Sequence, residues 1–160
     1  MKIKCYDYAL LLLDYNNRPE KELHSRLKNK GYAEEDIEDT VSKLKFYNLI
    51  DDKIYAENYI KSQTEKLKGK KLIISNLLQK GISRDIIEEV FGYNENHDQE
   101  LEKAKRLLAK SKFISKSKNN IIKPDKIANY LKTRGYSFSI ICEIIKLHSK
   151  KDNSELIIDS

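Results

Sequence analysis

The chain has 160 residues, of which 39% are hydrophobic and 35% are charged, and it contains no Trp. This composition excludes a membrane-spanning protein, because the longest apolar run, residues 9–13, is far shorter than the about 20 residues that cross a bilayer. The first residues also lack the apolar segment and cleavage site of a signal peptide. Cys5 and Cys142 show no metal-ligand spacing, so we expect small buried thiols in a protein of the reducing cytoplasm.

The net charge of +6 is concentrated toward the end of the chain. Residues 1–54 carry a net charge of −1, residues 55–98 carry none, and residues 99–160 carry +7. Between residues 103 and 134 there are eleven basic side chains and a single acid, Asp125. Such a block attracts polyanions, although it is also typical of a solvated lysine-rich face.

A Lys-Gly or Arg-Gly pair followed by Tyr or Ile occurs three times, at Gly31, Gly81 and Gly135. The glycines are 50 and 54 residues apart, and each has apolar residues four and eight positions before it. This spacing predicts a helix that buries one face and ends at the glycine. A unit repeated at this period favours a modular helical protein with an extended surface over one with a catalytic pocket.

Residues 5–50 predict the first three-helix repeat. Pro19 suits the first turn of the second helix, where its missing N–H costs nothing. Gly31 suits a C-terminal cap, and the acidic residues 34–36 suit the first turn of the third helix. The residues predicted to face the core are Tyr8, Leu11, Leu12, Tyr15, Leu23, Leu27, Ile37, Val41, Leu44, Phe46 or Tyr47, Leu49 and Ile50.

Residues 51–93 predict a second repeat, which Asp51 and Asp52 open as an N-cap. Gly69 separates its first two helices, and Ser83 caps its third. The residues predicted to face the core are Ile54, Tyr55, Tyr59, Ile60, Ile73, Leu77, Leu78, Ile86, Ile87 and Val90.

Residues 97–148 predict a third repeat, and residues 149–160 predict a frayed polar tail. Pro124 opens the second helix of this repeat after a long polar loop, and Ser137 or Ser139 caps the third helix. The residues predicted to face the core are Leu101, Ala104, Leu107, Leu108, Ile127, Leu131, Ile140, Ile141, Ile144, Ile145 and Leu147. No convincing strand pattern occurs, so the predicted fold is all-α, with three tandem three-helix repeats.

The sequence contains no pattern typical of catalysis or metal binding. It has no phosphate-binding glycine loop, no dinucleotide fingerprint and no nucleophile elbow, and residues 69–71 lack the upstream Gly of a phosphate-binding loop. No two histidines share a helix at metal-ligand spacing. These histidines are His24, His97 and His148. We therefore predict a binding protein that is not an enzyme and needs no cofactor or metal.

Clustered basic residues form the candidate binding surface. Arrays of Lys and Arg neutralise phosphates without reading bases, whereas any single lysine is more simply explained as a solvated side chain. The candidates for binding a nucleic acid or a nucleoprotein filament are Lys66, Lys68, Lys70, Lys71, Lys103, Lys105, Arg106, Lys110, Lys112, Lys123, Lys126, Lys132 and Arg134.

An ordered set of short motifs over residues 5–148 resembles the RecX family of recombination regulators. The second copy reads L-I-D-D-K-I-Y-A-E-N-Y-I from residue 49 and has Gly69, Ile73, Leu77 and Lys80-Gly81-Ile82 after it, which is similar to two stretches of that family. The other copies add Arg18, Glu22-Leu23, Leu27, Gly31-Tyr32, Ala104, Leu107, Tyr130-Leu131 and Arg134-Gly135-Tyr136.

The resemblance implies three-helix repeats bent into an elongated curved arc. It also implies binding to the RecA recombinase and its filament on single-stranded DNA, with inhibition of strand exchange and ATP hydrolysis. The setting would be DNA repair, homologous recombination and the SOS response, with duplex DNA as a further partner and no membrane. We expect a monomer, because no long exposed apolar stripe remains once the three cores are assigned. The sequence departs from the family in starting almost directly at the first repeat and in carrying Lys70 and Lys71 after Gly69.

Two other functions agree with the same residues. A stand-alone DNA-binding protein of helix-turn-helix-like units would bind DNA without a recombinase, with a steep dependence on salt. A helical adaptor for another protein would leave its lysines as solvated faces. The acidic first repeat disfavours three equivalent DNA-reading units, and the ordered motifs favour the RecX-like regulator.

Overall fold

The structure, a computed structural model, describes residues 3–92, 97–111 and 123–155. Over these residues it is helical with no strand, which confirms the predicted all-α class. The helices are α1 Cys5–Tyr15, α2 Glu20–Asn29, α3 Glu34–Phe46, α4 Asp52–Glu65, α5 Lys70–Gln79, α6 Arg84–Phe91, α7 His97–Ala109, α8 Pro124–Thr133 and α9 Phe138–Glu155. None of these described helices combines the length and the apolarity needed to cross a bilayer.

The chain divides into two compact units, each with its own core. The first unit comprises residues 1–61 and 75–92, and the second comprises residues 62–74 and 93–160. Two of the three boundaries, after residues 61 and 74, fall inside helices, so α4 and α5 each contribute residues to the two units. The largest wholly buried side chains of the first unit include Leu23, Leu27, Ile37, Leu44 and Leu77, and those of the second include Ile73, Ile127, Leu131, Ile140 and Ile144.

The repeated glycine marks the same structural feature in all three copies. Gly31, Gly81 and Gly135 follow α2, α5 and α8 with φ angles of +88°, +94° and +85°, a conformation that only glycine adopts without a steric penalty. The apolar residues four and eight positions before each glycine are buried, as predicted. They are Leu23, Leu27, Ile73, Leu77, Ile127 and Leu131.

Two of these glycine turns pack tightly against the start of another helix. In the second unit, the N–H of Gly69 donates to the carbonyl of Arg134 at 2.8 Å, and the N–H of Lys71 donates to the carbonyl of Gly135 at 3.1 Å. In the first unit, Gly81 lies against Lys21 at the start of α2, where an added Cβ would come within 2.3 Å of the Lys21 side chain. An added Cβ at Gly31 would meet nothing within 4 Å.

The predicted core face of α1 is wrong in part. Cys5 and Ala9 are buried, whereas Leu11 and Tyr15 are 57% and 81% exposed. The cause is that residues 10–13 are leucine on every side of the helix, so periodicity does not select a face. The small Ala9 side chain lets α1 lie close to α2 and α3.

Five other apolar residues named for the predicted core are exposed in the structure. They are Leu49, Ile54, Leu147 and both of the alternatives Phe46 and Tyr47. After α3 the chain turns through Asn48, with φ of +54°, and the N–H of Leu49 donates to the carbonyl of Leu44. This turn places Ile50 in the core instead of the aromatic pair.

Helix α4 likewise buries Ala56 and Gln63 rather than Ile54. Helix α9 continues to Glu155, beyond residue 149, where the sequence predicted a frayed tail. Cys142, predicted to be buried, is only half-buried.

Side-chain caps explain several helix starts. The carboxylate of Asp51 accepts from the N–H groups of Lys53 and Ile54 at 2.8 and 3.0 Å, as predicted for an N-cap. Ser83 and Ser137 cap α6 and α9 in the same way. Pro19 precedes α2 rather than forming its first turn, and the N–H of Glu20 donates to the carboxylate of Asp52 at 2.9 Å. The adjacent aspartates therefore cap two different helices.

Candidate nucleic-acid interface

All thirteen candidate basic residues belong to the second unit, although Lys112 lies outside the described residues. The second unit has 18 basic and 10 acidic residues, for a net charge of +8. The first unit has 13 basic and 15 acidic residues, for a net charge of −2. The positive charge of the protein is therefore a property of one unit, which is the one that would attract a polyanion.

Six of the candidates lie on two turns that hydrogen bonds hold together, or in the helical turn next to them. The turn between α4 and α5 leads into the start of α5, and the turn after α8 contains Arg134. The backbone bonds from Gly69 to Arg134 and from Lys71 to Gly135 join these two turns directly. We call this group the basic turn pair, and its members are Lys66, Lys68, Lys70, Lys71, Lys132 and Arg134.

Two tyrosines, which the charge pattern did not indicate, contact the basic turn pair and hold it in place. The hydroxyl of Tyr136 donates to the carbonyl of Leu67 at 2.9 Å, which fixes a turn in which Leu67 takes a positive φ of 56°. The guanidinium of Arg134 lies 5.4 Å from the centre of the Tyr130 ring, a distance at which a cation is attracted to the ring face. Both residues belong to the family-like motifs of the third copy, and their four-residue spacing places them on the same side of the end of α8.

The other described candidates form two further groups. On α7, Lys103 and Arg106 are three residues apart and so lie on one helix face, and Lys110 follows directly after the last residue of α7. Lys105 lies on another face and pairs with Glu102 at 2.6 Å, and its hydrogen bond holds the pKa of that carboxyl below its usual value. The last group, Lys123 and Lys126, is exposed at the start of α8.

The basic residues of the first unit are in a different electrostatic situation. Among the residues that the structure describes, seven of them lie within ion-pair distance of a carboxylate of the same unit. They are Arg18, Arg26, Lys28, Lys43, Lys45, Lys53 and Lys80. The eight excess cations of the second unit, in contrast, have no acids of that unit left to balance them. The second unit therefore gains more than the first from binding a polyanion.

Several residues of the family-like motifs quoted above lie together in one cluster of the first unit. Glu22 lies between Arg18 at 2.6 Å, Arg26 at 3.1 Å and Lys80 at 3.6 Å. Burial alone would raise the pKa of Glu22, but the hydrogen bonds from the two arginines hold it below its usual value. The Lys80 ammonium also lies within 6 Å of the stacked rings of Tyr55 and Tyr59. These motif residues thus stabilise the fold of the first unit.

The described residues show no arrangement suited to metal binding. No group of three His, Cys, Asp or Glu side chains among them could hold a metal ion. The Nε2 atoms of His24 and His97 lie 2.6 and 2.7 Å from carboxylates of Glu34 and Glu143. The clustered Lys and Arg side chains of the second unit are suited to binding anions.

Comparison with known families gives matches over both halves of the first 90 residues. Residues 5–44 match the family model described as "RecX, first three-helix domain". Residues 51–90 match the model described as "RecX, second three-helix domain". Together the two matches cover half of the chain.

Individual relatives match over most of the chain. The regulatory protein RecX of Clostridium botulinum (strain Eklund 17B / Type B) is 34% identical over 148 residues, which cover 90% of this chain and 68% of the relative. The regulatory protein RecX of Finegoldia magna is 35% identical over 147 residues, covering 88% and 70% of the two chains. The crystal structure of RecX from Lactobacillus salivarius has a TM-score of 0.75 at 34% identity, covering 91% of this chain and 95% of that one.

Proposed function

Because this chain belongs to the RecX family, we propose that it binds the RecA recombinase and its filament on single-stranded DNA and inhibits ATP hydrolysis and strand exchange. It does so in the cytoplasm as a monomer that performs no catalysis. Its role is then to limit recombination and thereby to modulate DNA repair.

The basic turn pair is the observation that best supports this proposal. Its six cations lie on or next to two turns joined by backbone hydrogen bonds, so the backbone positions from which they extend are held close together. A clustered array of Lys and Arg binds phosphates along a backbone without regard to base sequence. A regulator that acts on any filament needs this kind of sequence-independent contact.

The first test is single-stranded-DNA-dependent ATP hydrolysis by the cognate RecA, titrated with this protein at two salt concentrations. We expect dose-dependent inhibition at protein concentrations below those needed to bind the free DNA. Unchanged ATP hydrolysis and strand exchange at saturating protein would refute the proposal. Unchanged activity together with tight binding to bare DNA would instead favour the stand-alone DNA-binding function.

A pair of charge-reversal variants tests the basic turn pair itself. Lys66→Glu with Lys71→Glu reverses two of its exposed lysines. Because each phosphate contact to a single strand adds about 0.7 to the salt slope, we expect this double variant to lower the slope by about 1.4 and to weaken inhibition. The matched control is Lys4→Glu with Lys61→Glu, which reverses two exposed lysines of the first unit. Equal effects of the two double variants would show that overall charge, not the basic turn pair, determines binding.

A further inference from the structure

Exposed apolar side chains are concentrated in the first unit, the one with a negative net charge. Ten large hydrophobic side chains of the described residues are exposed, and eight of them lie in that unit. Six belong to α1 and to the end of α3: Leu10, Leu11, Tyr15, Phe46, Tyr47 and Leu49. Single exposed hydrophobics are ordinary, but a contiguous group is typical of a surface that binds another protein.

Part of this group lines an open groove between α1 and the turn after α3. Leu10, Leu11, Leu13, Asp14 and Leu49 surround a volume of about 540 Å³. The groove is open to solvent and lined mainly by leucine, so apolar side chains of a partner can enter it. Leu11 is 57% exposed, so the fold of α1 does not depend on burying it.

The charge around the groove indicates what kind of partner it fits. Helix α1 contains two acids, Asp7 and Asp14, and no Lys or Arg. Within the described residues Asp14 has neither a hydrogen bond nor an ion pair, and it lies in the last turn of α1, where the helix dipole disfavours a carboxylate. A cation beside Asp14 would be stabilised by both the carboxylate and the dipole, whereas a phosphate would be repelled.

We propose that this α1–α3 groove binds a segment of the recombinase that presents apolar side chains beside a Lys or an Arg. The inference rests on the proposed function and assigns the two kinds of contact to different units. The groove of the first unit contacts protein, and the basic turn pair of the second unit contacts DNA phosphates. Each contact is complementary in charge to its partner, which favours the correct orientation of both.

Two groove variants with matched controls test the assignment. Leu11→Glu places a charge in the groove, and Leu147→Glu makes the same change at an exposed leucine of the second unit. Asp14→Lys reverses the groove acid, and Asp7→Lys makes the same change at an exposed position of α1 that does not line the groove. Circular dichroism and thermal unfolding establish that all four variants fold.

The measurements are the affinities for DNA-free recombinase, for the recombinase filament and for bare single-stranded DNA. We expect Leu11→Glu and Asp14→Lys to weaken recombinase binding at least about tenfold, the loss typical of a central interface residue, and to leave bare-DNA affinity unchanged. The two controls should stay within about twofold of the wild-type affinity.

The outcomes separate this proposal from the one on which it rests. Wild-type protein that neither binds nor inhibits the recombinase would refute the proposed function and this groove assignment with it. Wild-type binding that both groove variants retain would overturn the groove assignment alone. A concentration-dependent dimer that Leu11→Glu dissolves, with recombinase binding intact, would show that the groove holds a second copy of the chain and would also overturn the assignment.

Discussion

Alanine substitutions at three glycines separate backbone strain from close packing in the repeat framework. Gly31 has a positive φ, but an added Cβ would meet open space. Gly69 has no positive φ, but an added Cβ would lie 2.4 Å from the backbone carbonyl carbon of Gly135. Gly135 combines the two features, since its φ is +85° and its Cβ would lie 2.3 Å from Cβ of Leu72.

The expected losses of stability follow from these differences. Gly31→Ala imposes only the left-handed backbone conformation, which costs about 1–2 kcal/mol. Gly69→Ala forces the two turns apart and breaks the hydrogen bonds from Gly69 to Arg134 and from Lys71 to Gly135, at about 0.5–1.5 kcal/mol each. Gly135→Ala combines the backbone strain with the loss of packing between the turns. We therefore expect it to lower the free energy of unfolding by about 2–5 kcal/mol, the largest effect of the three.

Urea unfolding followed by far-ultraviolet circular dichroism measures these losses through the transition midpoint and its slope. Because Gly31 and Gly135 lie in different units, amide hydrogen exchange in α2 and α8 should accompany the unfolding curves. If Gly69→Ala were as stable as the wild type, the close backbone packing would carry no cost and the reasoning would be wrong. The same conclusion would follow if Gly31→Ala were as damaging as Gly135→Ala.

Two further predictions concern titrating or capping side chains. The hydrogen bond to Glu143 raises the pKa of His97, so the stabilisation that this pair provides is complete below about pH 6.5 and is lost as the pH rises through the higher folded-state value. An NMR titration should show this raised pKa and a lower pKa of His97 in Glu143→Gln; an unchanged titration in that variant would contradict the assignment. Asp51→Ala should lower the free energy of unfolding by about 1 kcal/mol through loss of the α4 cap, and no change in the urea midpoint would refute the capping role. Burial raises the pKa of Asp52, so the protonated form is favoured on folding and stability rises as the pH falls through the folded-state pKa; Asp52→Asn keeps the acceptor for the N–H of Glu20 and should remove this dependence from the pH profile of unfolding.

The parts of the fold that the sequence predicts correctly are those where two local signals agree. The helices that end at Gly31, Gly81 and Gly135 combine helical periodicity with a residue that permits positive φ, and all three end as predicted. The face of α1 has no second signal, because four consecutive leucines satisfy any choice of face. The prediction that Phe46 or Tyr47 is buried fails for another reason. Residue type alone does not reveal that the chain turns away from the core after α3.

The candidate site shows the same division between local and long-range information. The count of Lys and Arg along the chain correctly indicates where the positive charge is concentrated. It cannot indicate that the turn at residues 66–71 meets the turn at Arg134, because that contact depends on hydrogen bonds across more than 60 residues of sequence. The α1–α3 groove is equally invisible in the sequence, since its leucines have the hydropathy of core residues.

The structure also explains how one helical framework can carry surfaces of opposite net charge in the two units. The positions that specify the framework are the glycine and the buried residues four and eight positions before it, and these agree in all three copies. The residue nine positions before the glycine is free to differ, and it is Glu22, Leu72 and Lys126 in the three copies. In the first copy it organises an ion-pair cluster, in the second it packs against Gly135, and in the third it is an exposed cation. Stability therefore constrains few surface positions, so the same framework is compatible with the opposite net charges of the two units.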